Sequence, residues 1–94
     1  MNLHHVFPRE LDGAKVLFHT PRGNYGASRY TNGKIADHYL YFAICKYEND
    51  NQYYLFCCGE NYQVASDYLI DSIEECKEAA ASLYKGSIVW HKVD

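Results

Sequence analysis

Several features that signal a function are missing from this 94-residue chain. No apolar run approaches the ~20 residues that a membrane-spanning helix needs, and the first residues, MNLHHVFPREL, contain no apolar segment followed by a small-residue cleavage site. No catalytic nucleophile, metal cage or phosphate-binding loop has a recognisable spacing. We therefore expect a soluble, cytoplasmic, non-enzymatic protein with reduced cysteines and with no cofactor, metal or membrane partner.

The chain also has little net charge. Its formal charge of −3 argues against general nucleic-acid binding. The charge is nevertheless uneven: residues 13–36 contain four cations and no acid, whereas residues 37–78 contain nine acids against Lys46 and Lys77. The first of these segments is basic and the second is acidic.

Aromatic residues are abundant instead, with ten Tyr, four Phe and one Trp. A chain of this length has room for one hydrophobic core, so residues 1–94 are predicted to form a single domain, with residues 1–12 as an irregular arm. A buried tyrosine needs a partner for its hydroxyl or contact with water. A half-buried β-sheet meets that need.

The central prediction is a β-hairpin spanning His38 to Gly59. Alternation along its first strand puts Leu40, Phe42 and Ile44 on a core face. It puts a second set on a face that we expect to be either solvent-edged or covered by a small element: Tyr39, Tyr41, Ala43, Cys45 and Tyr47. In the partner strand, residues 53–58, either alternate set can join the core. A slip of one residue exchanges the faces, so the sequence leaves this register open.

A helix is predicted after the hairpin, with Ser72 as its N-cap and Glu75 completing a capping box. Gly86 is predicted to end it as the left-handed residue. Its buried stripe is predicted to be Ile73, Cys76, Ala80, Leu83 and Tyr84.

Further strands are predicted on both sides of the hairpin and helix. They are residues 14–20, with Val16 and Phe18 on one face, residues 62–69 near an edge, and residues 88–93, anchored by Trp90. Asn32-Gly33 predicts a type I′ turn between two short strands. The fold class is therefore α+β, an antiparallel sheet of five to six strands with one helix packed on one face as a two-layer sandwich.

Two constellations of chemically active residues lack a defining spacing. Cys57 and Cys58 are adjacent in a strand and point to opposite faces, so they cannot both ligate one metal ion without a bulge. Five histidines allow acid–base catalysis of a ribonuclease kind, but no spacing selects a pair. Small buried thiols and surface or strand-end histidines are the simpler explanations of the two sets.

Two surface regions are the candidate binding sites. The basic loop of residues 19–34 has the composition of a phosphate or base site, and also that of an ordinary loop. Its candidates are His19, Arg22, Arg29 and Lys34. The acidic, tyrosine-bearing segment fits a protein partner, and equally a solvated rim. Its candidates are Tyr47, Glu48, Asp50, Tyr53, Tyr54, Glu60, Tyr62 and Asp67.

The segment Tyr41 to Gly86 resembles small bacterial immunity proteins of toxin-immunity systems. The shared features are a tyrosine-rich hairpin, an acidic helix start (DSIEECKE) and an aromatic residue near the helix end. The resemblance implies a cytosolic inhibitor that covers the active site of a cognate toxin, often a nuclease. The rival hypotheses are an RNA-binding or ribonuclease-like domain that uses the basic loop and a regulatory module without independent activity. An exposed sheet edge can also pair with a second copy of the chain.

Overall fold

The computed structural model describes residues 6–93, which have the predicted α+β fold. The elements are β1 (Glu10–Leu11), β2 (Ala14–His19), β3 (Gly26–Arg29), β4 (Ile35–Tyr39), β5 (Tyr41–Lys46), β6 (Tyr53–Cys58), β7 (Val64–Ile70), α1 (Ile73–Tyr84) and β8 (His91–Lys92). The main antiparallel sheet has the order β1-β2-β5-β6-β7, with β8 also pairing with β2. Strands β3 and β4 form a separate two-stranded ribbon.

The register of the central hairpin, which the sequence left open, pairs Phe42 with Cys57 and Ile44 with Leu55. Paired residues share a face, so these four side chains lie together under α1. This helix-side core consists of Tyr25, Tyr39, Phe42, Ile44, Leu55, Cys57, Cys76 and Ala80. The helix therefore packs on the sheet as predicted.

The opposite face of the hairpin is a second core: of the two expectations for it, the solvent-edged face was wrong, and a short segment of the chain covers it. Ala43 and Cys45 are fully buried on this face, and Tyr41 is nearly buried. This arm-side core consists of Phe7, Leu11, Ala14, Val16, Tyr41, Ala43, Cys45, Phe56 and Cys58. The predicted irregular arm supplies Phe7 and Leu11, while residues 1–5 lie outside the described part of the chain. Apolar residues of the arm thus cover a face for which alternation alone identified no covering segment.

The face assignment also changes at two irregularities. A register shift between Val16 and Phe18 places Val16 in the arm-side core and packs Phe18 on the helix-side core, so their predicted common face was wrong. A β-bulge has this effect because it adds one residue to a period-2 pattern. Similarly, β4 ends at Tyr39 and β5 starts at Tyr41, and Tyr39 joins the helix-side core while Leu40 packs against the arm-side core.

The helix starts as predicted, because the Ser72 hydroxyl accepts a hydrogen bond from the Glu75 amide at 3.1 Å. Its end differs, since Lys85 and not Gly86 has the left-handed backbone, with φ 60°. Gly86 is needed for another reason: a Cβ there would lie 2.9 Å from the ring of Tyr84. The predicted stripe is shorter too, because Leu83 and Tyr84 are exposed.

The turn at Asn32-Gly33 is longer than predicted. The Tyr30 amide donates to the Lys34 carbonyl and the Gly33 amide to the Tyr30 carbonyl, and only Gly33 of the two central residues has positive φ. This is a three-residue loop, a type I turn followed by a left-handed glycine, and not a type I′ turn. At the C-terminal end, the predicted strand 88–93 is shortened to His91–Lys92, after which the Val93 amide donates to the Leu17 carbonyl at 2.9 Å. Trp90 packs on the helix-side core.

Among residues 6–93, no helix has both the length and the apolar character needed to cross a membrane.

Candidate functional site

The predicted acidic site is divided by the strand that connects its members. Glu48 and Asp50 lie in the loop before β6, while Glu60 and Tyr62 lie in the loop after it. A six-residue strand spans about 17–20 Å at ~3.3 Å per residue. The eight predicted residues therefore do not form one patch.

Part of the set does come together on the arm-side face of the sheet. The rings of Tyr47 and Tyr54 pack perpendicularly with their centroids 5.4 Å apart, and the Tyr47 hydroxyl donates to the Asp12 carbonyl at 2.9 Å. On β7, Asp67 pairs with Phe56 and Leu69 with Tyr54, so both side chains share this face. We call Asp12, Tyr47, Tyr54, Asp67 and Leu69 the acid–tyrosine face.

The acid–tyrosine face combines negative charge with exposed apolar surface. Burial raises the pKa of Tyr47, and the nearby carboxylates of Asp12 and Asp67 raise it further. Tyr47 therefore keeps its proton at neutral pH and remains a hydrogen-bond donor. Leu69, the cross-strand partner of Tyr54, is 53% exposed. Asp12 and Leu69 were missed in the sequence because only the pairing of β2 with β5 and of β6 with β7 brings them here.

Three other predicted residues are not members of this face: one lies on the opposite side of the sheet and two lie in the loop next to Tyr47. Tyr53 pairs with Ile70 and packs against the helix-side core, on the opposite face of the sheet. Glu48 and Asp50 are exposed in the loop that leads into β6, at the same end as Tyr47. They extend the acid–tyrosine face along its rim.

The predicted basic site is divided as well. Arg22 forms a salt bridge with Glu60, with Nη2 and Oε1 2.8 Å apart, and so joins one member of each predicted site. Arg29 lies on the β3–β4 ribbon, where its guanidinium donates to the Gly33 carbonyl at 2.9 Å. Lys34 is in the loop at the tip of that ribbon. Only His19 and Arg22 remain near each other.

An aromatic cleft lies between these last two residues and the loop after β6. A cavity of about 210 Å³ is lined by Phe7, His19, Thr20, Pro21, Arg22, Tyr41 and Tyr62. A second cavity of about 430 Å³ is lined by Arg22, Tyr41, Glu60, Asn61 and Tyr62. The two share Arg22, Tyr41 and Tyr62 and are therefore adjacent, and together we call them the Arg22 cleft.

The rings of the Arg22 cleft hold one another in place. His19 stacks on Phe7 with centroids 4.3 Å apart, and its Nδ1 lies 3.0 Å from the Thr20 carbonyl. Tyr62 packs edge-on against Phe7 at 5.1 Å and tilted against Tyr41 at 4.9 Å. The hydrogen bond from Arg22 to Glu60 raises the pKa of the guanidinium, and the hydrogen bond to Tyr41 raises it to a smaller degree. Arg22 therefore stays charged.

The structure also selects a histidine pair, which the sequence did not. His19 and His91 face each other across β2 and β8, with ring centroids 5.5 Å apart. The two residues are far apart in the chain, and β8 is only two residues long. No local pattern could have indicated this contact.

A third cavity, larger than the two of the Arg22 cleft, has a different character. It measures about 550 Å³ and is lined by Glu10, Gly13, Lys15, Leu17, Lys46, Tyr47 and Glu48. Two lysines and two glutamates offset each other there, so this cavity has no net charge to select a ligand.

The cysteines are inert in this fold. All four are free and fully buried, and burial raises the pKa of Cys57 and Cys58 to about 12 and that of Cys76 to about 11. Cys57 and Cys58 lie in the helix-side and arm-side cores respectively, as alternation predicted. Within the described residues, no three His, Cys, Asp or Glu side chains are placed to hold a metal ion.

Comparisons of the chain with protein-family models, with curated proteins and with solved structures returned no match.

Proposed function

We propose that the protein is a non-enzymatic protein-binding domain of the immunity-protein kind, which neutralises a cognate toxin by covering a basic surface of that toxin. The observation that carries the proposal is the acid–tyrosine face, where the perpendicular Tyr47–Tyr54 pair lies between two carboxylates and beside an exposed leucine. We propose also that this toxin is a nuclease.

The chemistry of this face fits a protein partner better than a solvated rim. Tyrosine rings fixed by packing supply contact area at little cost in side-chain entropy, and they are enriched at interfaces. Leu69 adds an apolar contact that water solvates poorly, although it lies next to charged Asp67. Fixed carboxylates increase the association rate with a basic partner and repel acidic partners.

The edge of the sheet favours a different protein over a second copy. Within residues 6–93, β7 pairs with β6 on one side only, so its other side presents free backbone groups. Asp67 is the middle residue of this seven-residue strand. Antiparallel self-pairing centred there would place two carboxylates opposite each other, which is destabilising. A basic partner chain meets no such repulsion.

The test is a binding measurement with the product of the gene immediately upstream, the position of a toxin gene in such systems. We expect the two proteins to copurify after co-expression and to bind less tightly as salt is raised. Asp67→Lys and Leu69→Asp should each weaken the calorimetric Kd by roughly tenfold or more. Both positions are exposed on an edge strand, so neither change disturbs a core.

The matched control is Glu78→Lys, which makes the same change of charge on the exposed side of α1. It should leave Kd within about twofold of the original value, because surface changes outside an interface have little effect. An upstream product that does not bind, or equal binding by Asp67→Lys and the unmodified protein, would contradict the proposal.

A further inference from the structure

A second binding surface, separate from the acid–tyrosine face, is formed by the Arg22 cleft. Phe7 and Tyr41 form its nearly buried floor, and half-exposed His19 and Tyr62 form its walls. The larger of its two cavities, about 430 Å³, lies within the range of ~300–1,000 Å³ usual for small-molecule sites. The cleft is therefore large enough for a ligand of the size of one nucleotide.

The position of Tyr62 in this cleft carries backbone strain. The Gly59 amide donates to the Gln63 carbonyl and the Tyr62 amide to the Gly59 carbonyl, the same pattern as in the loop from Tyr30 to Lys34. In that loop the left-handed position is held by Gly33, whereas here it is held by a tyrosine with φ 64°. A strained backbone persists only where the surrounding structure compensates its energetic cost. Residues of this kind concentrate at ligand sites.

Arg22 gives the cleft an anion-binding group. Among the described residues that line the two cavities, it is the one with a permanent positive charge. Its partner Glu60 is 68% exposed, and exposed ion pairs are weak, so a phosphate can displace the carboxylate. A guanidinium binds phosphate through two parallel hydrogen bonds. His19 adds an imidazole to the lining of the smaller cavity.

We propose that the Arg22 cleft binds one nucleotide, with its phosphate on Arg22 and its base against the ring of Tyr62. Base stacking on aromatic rings tolerates every base, which suits a cleft with few directional groups. The site holds a single nucleotide and not a long strand, because Arg29 and Lys34 lie away on the β3–β4 ribbon. The ligand is either a free nucleotide or one residue of an RNA strand.

Titration of the ¹⁵N-labelled protein with adenosine 5′-monophosphate tests the proposal. At low salt we expect shifts of the Arg22 and Tyr62 amide signals with a Kd in the micromolar to millimolar range. Inorganic phosphate and adenosine, the two halves of the probe, should each bind more weakly than the nucleotide. The oligonucleotide rA6 distinguishes the sources: tighter binding than the mononucleotide indicates RNA, and equal binding indicates a free nucleotide.

Two variants separate the contributions of charge and ring. Arg22→Gln should weaken binding of the mononucleotide by roughly tenfold, and Tyr62→Asn should remove the stacking contact while keeping a residue that tolerates positive φ. Arg29→Gln is the matched control, because it removes an exposed arginine outside the cleft, and it should change Kd by less than about twofold.

Three results would overturn the proposal. The first is that the amide signals show no saturable shift at millimolar concentrations of the mononucleotide. The second is that the Arg22→Gln variant binds the mononucleotide as tightly as the original protein. The third is that inorganic phosphate and the mononucleotide bind with equal affinity. Since none of these measurements involves Asp67 or Leu69, their outcome is independent of the toxin-binding test.

Discussion

Thr20 is a buried polar residue whose contribution to stability can be measured cleanly. Its side chain is completely buried, and its hydroxyl accepts a hydrogen bond from the Phe42 amide at 3.0 Å. The Thr20 amide in turn donates to the Phe42 carbonyl at 3.0 Å. These two bonds continue the β2–β5 ladder beyond its last pair, His19 with Ala43. The Thr20 hydroxyl thus accepts a hydrogen bond from β5 that a backbone carbonyl of the neighbouring strand would otherwise accept.

Thr20→Val keeps the shape of the side chain and removes this acceptor. The Phe42 amide points toward β2, and Phe42 is fully buried, so its N–H would be left without a partner. Such a loss costs about 1–3 kcal/mol, and the extra methyl group recovers less than about 1 kcal/mol. We expect a net loss of roughly 1–2 kcal/mol. For a domain of this size each kcal/mol lowers Tm by about 4–8 °C.

The measurement is urea denaturation followed by far-UV circular dichroism, with amide exchange of Phe42 as a local readout. The midpoint should fall at unchanged m, and Phe42 should exchange faster. Thr20→Ser keeps the acceptor, so its Phe42 amide should stay protected although the lost methyl lowers stability. Thr31→Val makes the same chemical change at an exposed site and should stay within about 0.5 kcal/mol. A Thr20→Val protein as stable as the original would refute the reasoning.

Two further predictions concern the helix start and the thiols. Ser72→Ala should cost about 1 kcal/mol in the same urea assay, because the Glu75 amide loses its cap, and an unchanged midpoint would contradict this. The native protein at pH 8 should not react with a disulfide reagent such as DTNB, whereas the chain in guanidinium should show four reactive thiols. Stability should also fall above about pH 9, by ~1.4 kcal/mol per pH unit per thiol, because the unfolded chain releases thiol protons that the fold retains up to about pH 12 for Cys57 and Cys58. Rapid labelling of the folded protein, or constant stability from pH 8 to 10, would show that the thiols are not buried.

Local signals in the sequence predicted the parts of the fold that depend on near neighbours. The N-cap at Ser72 needs only the amide three residues further along, and the opposite orientation of Cys57 and Cys58 needs only the period of a strand. Both were confirmed. The α+β class follows from the same kind of evidence, because the helix and the central hairpin each have a clear apolar periodicity.

Errors arose where distant segments decide the outcome. The second core exists because the arm packs Phe7 and Leu11 against the face that contains Tyr41, and nothing in the hairpin itself indicates which segment covers that face. The bulge between Val16 and Phe18 allows one short strand to contribute side chains to both cores. Such a bulge is favourable only when other segments pack on both faces of the strand. Alternation has no means of detecting either effect.

The candidate sites were harder to predict than the fold for the same reason. Residues 19–34 and the acidic segment were treated as separate sites because they differ in charge, yet Arg22 and Glu60 form a salt bridge. The acid–tyrosine face needs the β6–β7 register, and the His19–His91 pair needs a two-residue strand. Charge along the chain indicated the residue types but not which of them meet.

The loops ending in Gly33 and Tyr62 provide an internal comparison for this fold. They share the same pair of backbone hydrogen bonds and the same left-handed position, and the β3–β4 loop fills it with the residue that costs least. A Cβ at Gly33 would meet nothing within 4 Å, so its glycine serves the backbone alone. At Tyr62 the chain accepts a strained backbone and gains a ring that closes the wall of the Arg22 cleft over Phe7 and Tyr41. Turn formation alone would favour glycine at both positions, so the ring of Tyr62 must contribute something beyond the turn, and its packing in the cleft is the contribution that the structure provides.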